Sequence, residues 1–195
     1  LASLQSRILD LITAIGADIK TLTNRNYDVH VASTAAQTGF ATDTYLAGSG
    51  VTVPVGKIKV GTKYRCKFNV VKTAAGIAAP VITIRMGTLG TTGDAAITTL
   101  TYAAQTGAID EGEIEVVVVF RAVGAAAGVV QAIGNLLHRL VTTGLNVTGT
   151  FTSVKNTSAS FNSTTPTKIG LSINAGTSAA WTVELVEAEV LNLTP

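Results

Sequence analysis

The chain has 195 residues (19.9 kDa), of which 47% are hydrophobic, 13% charged and 5% aromatic, and a formal net charge of +2. Average soluble chains carry roughly 25% charged residues; about half that supply, with a mean hydropathy of +0.42, excludes a disordered chain. The near-neutral balance, with no basic run in the sequence, argues against a nucleic-acid partner, and the length fits one domain plus an appendage.

Residues 1–26 form the appendage. Apolar residues fall at Leu1, Leu4, Ile8, Leu11, Ile12, Ile15, Ile19 and Leu22. The series Ile8, Ile12, Ile15, Ile19, Leu22 alternates steps of four and three, the seam of a coiled coil. Leu1, Leu4, Ile8, Leu11 and Ile15 give a second, overlapping seam, so the stripe is wider than a dimer needs. Isoleucine at successive core positions favours three or four strands. Asn24 and Asn26 read as a helix stop. A helix of this length is marginal alone in water, so the expectation is a trimeric stalk with Leu4, Ile8, Leu11, Ile12, Ile15, Ile19 and Leu22 toward the axis. The chain opens at Leu1 and its one methionine is Met86, so a segment ahead of Leu1 is expected to attach it to other proteins.

Residues 27–45 read as a linker with a first strand, and 46–195 as a β-sandwich head. From Asp28 onward the hydrophobic period is two. Tyr64, Cys66, Phe68 and Val70 alternate with Arg65, Lys67 and Asn69; Ile82, Ile84 and Met86 with Thr83 and Arg85. Ile114, Val116, Val118 and Phe120 alternate with Glu113, Glu115 and two valines, and Ile169, Leu171 and Ile173 with Lys168, Gly170 and Ser172. In the last run Trp181, Val183 and Leu185 share a face before the phase slips to Val186, Ala188 and Val190, the mark of a β-bulge. Turn signals at 74–76, 87–93, 106–112, 122–128, 142–146 and 174–177 separate these runs. Gly128 to Leu140 reads as strand. Eight to ten short strands without interleaved helices give a mainly β chain, an antiparallel sandwich or jelly roll. Its expected core includes Phe68, Val70, Ile84, Val116, Val118, Ile169, Leu171 and Trp181.

The segment from Leu171 through Asn174-Ala-Gly-Thr-Ser to Trp181-Thr-Val-Glu-Leu185 resembles a module that recurs in tailed-bacteriophage virion proteins. Asp43 to Ser49 and Gly61 to Pro80 are similar to it as well, and the likeness covers roughly residues 40 to 193. Such modules sit at the ends of fibres or spikes and usually trimerise behind a short coiled coil. The resemblance therefore implies a virion location, a homotrimer, and contact with other virion proteins through the N-terminal end. It carries no catalytic residues.

Chemistry is sparse elsewhere. His30 and His138 are the two histidines, neither at a metal-ligand spacing, and the single Cys66 permits neither a disulfide framework nor a zinc site within one chain. Cys66 reads as a small buried hydrophobe. Carboxylates group at Asp110, Glu111, Glu113, Glu115 and at Glu184, Glu187, Glu189; strand solvation accounts for them, with a calcium turn at Asp110-Glu111-Gly112 as the sharper reading. Gly87, Gly90 and Gly93 lack the helix and Lys-Ser/Thr pair of a phosphate loop and read as a turn. The apolar stretch Ala122–Leu137 is interrupted and too short for a membrane span. No cofactor or metal is expected. The sequence thus points to a non-enzymatic spike or fibre protein, capsid decoration or tail fibre. Its host contacts, to a surface glycan or receptor, are expected in loops 87–95, 122–128 and 152–165, opposite the stalk. The competing reading is a carbohydrate-binding or adhesin module of a secreted or cell-surface protein.

Overall fold

A computed structural model describes residues 3–23, 28–31, 35–53, 58–73, 76–138, 145 and 152–191. One helix, α1 (Leu4–Thr23), precedes eleven strands: β1 (Asp28–Val31), β2 (Thr44–Tyr45), β3 (Val51–Val53), β4 (Lys63–Lys72), β5 (Val81–Gly87), β6 (Ala95–Thr101), β7 (Asp110–Ala122), β8 (Val129–His138), β9 (Thr152–Thr157), β10 (Thr167–Asn174) and β11 (Trp181–Leu191). They form two antiparallel sheets, in the orders β1-β11-β4-β7-β8-β9 and β2-β10-β5-β6, with β3 also paired to β10. The inward rows of both sheets merge in one hydrophobic cluster, a two-layer sandwich. Phe68, Val70, Ile84, Val116, Val118, Ile169, Leu171 and Trp181 are all fully buried in it.

Local chemistry sets the registers. In β4 and β7 every second residue is buried, because one face of each strand meets the core and the other meets water. In β8, Gly134 points inward where a Cβ would stand 2.9 Å from the Thr98 methyl, so the glycine that spoils a helix here lets the two sheets approach. The phase slip in β11 occurs one step earlier than the alternation predicts. The register shifts between Val183 and Leu185, which places Val186, Ala188 and Val190 in the buried row and leaves Leu185 partly exposed.

In the segment read as a linker with a first strand, the described residues join both sheets. β1 pairs with β11 and β2 with β10. Phe40 is fully buried, and its carbonyl accepts from the amides of Ala175 and Gly176. The following stretch covers β10 from outside: a Cβ on Gly170 would run into the Tyr45 hydroxyl, and Ser172 on the same row is fully buried.

The registers also define two ends. Asp28 lies opposite Ala188, near the end shared by Leu191, Lys63, Ala122, Val129 and Thr157. The connections 87–95, 122–129 and 157–167 sit there, so loops 87–95 and 122–128, expected to oppose the stalk, lie instead at the end where the chain comes in from the helix; of the expected loop 152–165, residues 152–157 are strand β9 and the remainder lies at this same end. The physical reason is strand parity: β1 runs antiparallel to β11 and starts beside that strand's finish. The far end carries the connections 72–81, 101–110 and 174–181.

Each end is closed differently. At the helix side, Tyr64, Phe120 and Phe161 stack edge to face with centroids 6.0 and 6.3 Å apart, and Gly128 and Phe161 exchange two backbone hydrogen bonds of 2.9 Å. At the far end the inward row finishes in Trp181, Lys72 and Asp110, aligned across β11, β4 and β7.

Candidate functional site

Helix α1 is set apart from the head by exposure. Every residue from Ser3 to Ile19 is exposed, including Leu4, Ile8, Leu11, Ile12, Ile15 and Ile19. Leu9, which the heptad reading passes over, is 64% exposed and widens the stripe further. The side chain of Leu22 lies outside the described residues, as do Leu1 and the expected stop at Asn24 and Asn26. A groove of about 560 Å³ runs along the helix between Ser3, Gln5, Ser6, Ile8, Leu9 and Ile12. Seven large aliphatic side chains are bared to water on this one helix, an apolar patch of the kind that marks an interaction surface. No helix among the described residues is long and apolar enough to cross a membrane.

The head offers little reactive chemistry among its described residues. No group of three or more His, Cys, Asp and Glu side chains is placed to hold a metal ion. His30 lies opposite Val186 and His138 opposite Gly112, on strands at separate places in the sheet. Cys66 is fully buried, and burial pushes its thiol up to about 12, so it is inert as a nucleophile. The Asp110-Glu111-Gly112 stretch is not a turn. It opens β7, with Asp110 turned inward and Glu111 outward, so its oxygens do not converge as calcium ligands require. The Asp110 carboxylate instead accepts from the amides of Glu111 (2.9 Å) and Leu145 (2.8 Å).

The glycine run at 87–93 is a self-filled nest. Asp94 accepts from the amides of Leu89 (3.0 Å), Gly90 (2.5 Å) and Thr91 (3.3 Å). A Cβ on Gly87 would strike that carboxylate. The loop has the donors of an anion site and supplies its own anion. Arg85 steadies it, donating to the Asp94 carbonyl at 2.8 Å, to Ser172 at 2.7 Å, and to the Asp43 carboxylate.

No protein-family model matches the chain, and no curated protein matches it either.

Two features escape a linear reading. Lys72 is fully buried, its ammonium donating to the carbonyls of Thr106 (2.7 Å) and Ala108 (3.0 Å). Burial holds its pKa below the usual lysine value, with the Asp110 charge working in the opposite sense. Continuing the alternation Tyr64, Cys66, Phe68, Val70 by one more step would have landed on it. The second feature is a ladder on the outer face of the six-stranded sheet. Arg65 meets Glu115 at 3.0 Å and Glu189 at 3.7 Å, Lys67 meets Glu113 at 3.8 Å, and Asn69 donates to Glu111 at 2.8 Å. A shallow depression of about 260 Å³ lies beside it, between Lys67, Asn69, Glu113, Leu185 and Glu187.

Proposed function

We propose that this chain is a non-enzymatic structural protein of a bacteriophage virion, the head and upper stalk of a homotrimeric surface spike or fibre. The observation that carries the reading is the apolar stripe of α1, exposed from Leu4 to Ile19, joined to a sandwich that closes its own core without it. Its occupants are two further copies of the same helix. The stripe is broader than a two-stranded seam and isoleucine-rich, which suits three strands. In the bundle each copy covers the leucines and isoleucines that the single chain bares.

The head supports the same reading. Counting β2 and β3 as one strand and setting aside the β8–β9 hairpin leaves the orders 1-8-3-6 and 2-7-4-5, those of a jelly roll, in line with the sequence resemblance to virion modules. With the helix directed toward its anchorage, the far end of the sandwich is the surface presented outward. Host contact then belongs to the connections 72–81, 101–110 and 174–181, which include a depression of about 310 Å³ lined by Gly76, Ile77, Ala78 and residues 175–178.

Light scattering with mass determination tests the proposal on the native chain and on Ile15→Asp. The native chain is expected at three times 19.9 kDa. The variant, which would bury three carboxylates at one axis, is expected as a monomer with its β-rich circular dichroism retained. A native monomer that binds glycans tightly overturns the proposal in favour of an adhesin module, and a variant that stays trimeric removes the stalk as the assembling element. Imaging of parent particles labelled for this protein tests the virion location.

A further inference from the structure

The turn at 59–62 assembles a charge cluster that no single stretch of sequence contains. The Thr62 amide donates to the Lys59 carbonyl at 3.0 Å, and the Lys59 amide donates to the Thr62 hydroxyl at 3.1 Å. Gly61, at φ +90°, allows the turn to close. The Gly61 amide then reaches the Phe120 carbonyl at 2.8 Å, and the Phe120 amide returns to the Thr62 carbonyl at 3.0 Å. These bonds pin the turn to the finish of β7, where Arg121 follows, while Lys63 opens β4 opposite Val119. Lys59, Lys63 and Arg121 thus share one corner at the helix-side end of the head.

All three are exposed, and none has an ion-pair or hydrogen-bond partner for its side chain among the described residues. The contrast with their neighbours is sharp. Arg65, Lys67 and Arg85 each hold a carboxylate, and Lys72 holds two carbonyls. The same turn and the residues just past β7 carry two bared valines, Val60 (58% exposed) and Val123 (40%).

We propose that this corner is a docking surface for a carboxylate-rich protein neighbour on the side from which the helix enters. This rests on the reading of α1 as the stalk, and it gives that reading's N-terminal partner a chemistry. Lysine ammonium groups and an arginine fork with no acid of their own match carboxylates from outside. The bared valines favour a protein over a polyphosphate backbone, against which apolar side chains gain nothing. In a trimer the corner occurs three times around one axis, so weak contacts add by avidity.

The test compares the native chain with the triple variant Lys59→Gln/Lys63→Gln/Arg121→Gln on immobilised poly-L-glutamate. Inorganic polyphosphate, duplex DNA and phosphatidylglycerol vesicles are the parallel probes. Retention on polyglutamate at about 0.05 M salt, released by about 0.3 M, is expected of the native chain. The triple variant, with unchanged melting, is expected to bind at least about tenfold more weakly, and Arg7→Gln/Lys155→Gln to bind as the native chain does. Equal loss in both variants, no native retention, or tighter binding to polyphosphate, DNA or vesicles than to polyglutamate overturns the proposal. Light-scattering mass on the same samples separates the two readings: a monomer that binds through the corner keeps the docking surface without the bundle, and a trimer that does not bind keeps the bundle alone.

Discussion

Arg65 on β4 stands directly opposite Val117 on β7, yet its guanidinium meets Glu115, two residues away along that strand. The same displacement recurs twice. Lys67, opposite Glu115, reaches Glu113, and Asn69, opposite Glu113, donates to Glu111. Sheet twist brings the diagonal neighbour closer than the facing one, and three successive outward side chains of β4 follow it.

The diagonal rule sets the first prediction. In double-mutant cycles Arg65 couples to Glu115 and not to position 117. Because both groups are partly solvated, Arg65→Ala is expected to cost about 0.5–1 kcal/mol in chemical denaturation. The cost shrinks in 0.5 M salt, taken as roughly a 4 Å screening length. A coupling that ignores salt would mean the arginine acts through its stem and not its charge.

Lys72 supplies the second. Lys72→Met fills the same space but removes the ammonium's hydrogen bonds to the Thr106 and Ala108 carbonyls. The expected loss is roughly 1–3 kcal/mol, the cost of removing a charged donor from buried carbonyls. Hydrogen exchange should rise first in the 101–110 connection, which the ammonium ties to β4. An equally stable variant with unchanged exchange there would mean that the far end is closed by packing alone.

The third concerns alkaline pH. Cys66 starts from 9.0 and burial raises it to about 12, so above pH 9 the unfolded chain gives up a proton that the folded chain keeps. Stability contributed by the neutral thiol is complete below about pH 9 and is lost as pH rises from there toward 12, by about 1.4 kcal/mol per pH unit. Buried Tyr64 and Tyr102 are shifted upward as well and add to the loss at higher pH. Cys66→Ala is expected to flatten the fall between pH 9 and 10, read from denaturation midpoints, and native Cys66 to resist thiol reagents until the chain unfolds.

The strands were legible in the sequence because a half-buried sheet writes its register into every second residue, as from Tyr64 to Val70. Lys72 and Asp110 obey that same period, but a charged residue at an inward position reads as the end of a strand unless its partners are known. The corner of Lys59, Lys63 and Arg121 was illegible for another reason: it depends on a turn in one strand connection meeting the finish of another strand. The covering of β10 left only a faint sign, the small residues Gly170 and Ser172 where an outward row would ordinarily carry bulk. The exposed stripe of α1 was legible as a pattern, because its apolar residues keep helical spacing from Leu4 to Ile19.

Asp28 and Leu191 leave the sandwich at the same end, joined to it through adjacent strands. A sandwich entered and left at one end can be exchanged as a cassette: cut at that boundary and grafted elsewhere, it would lose no strand of either sheet and none of its core. Variation at the opposite end then never has to negotiate with the junction. If the chain is the spike proposed above, a lineage built on this plan can change the far end of the sandwich, or replace the whole sandwich, while α1 stays as it is.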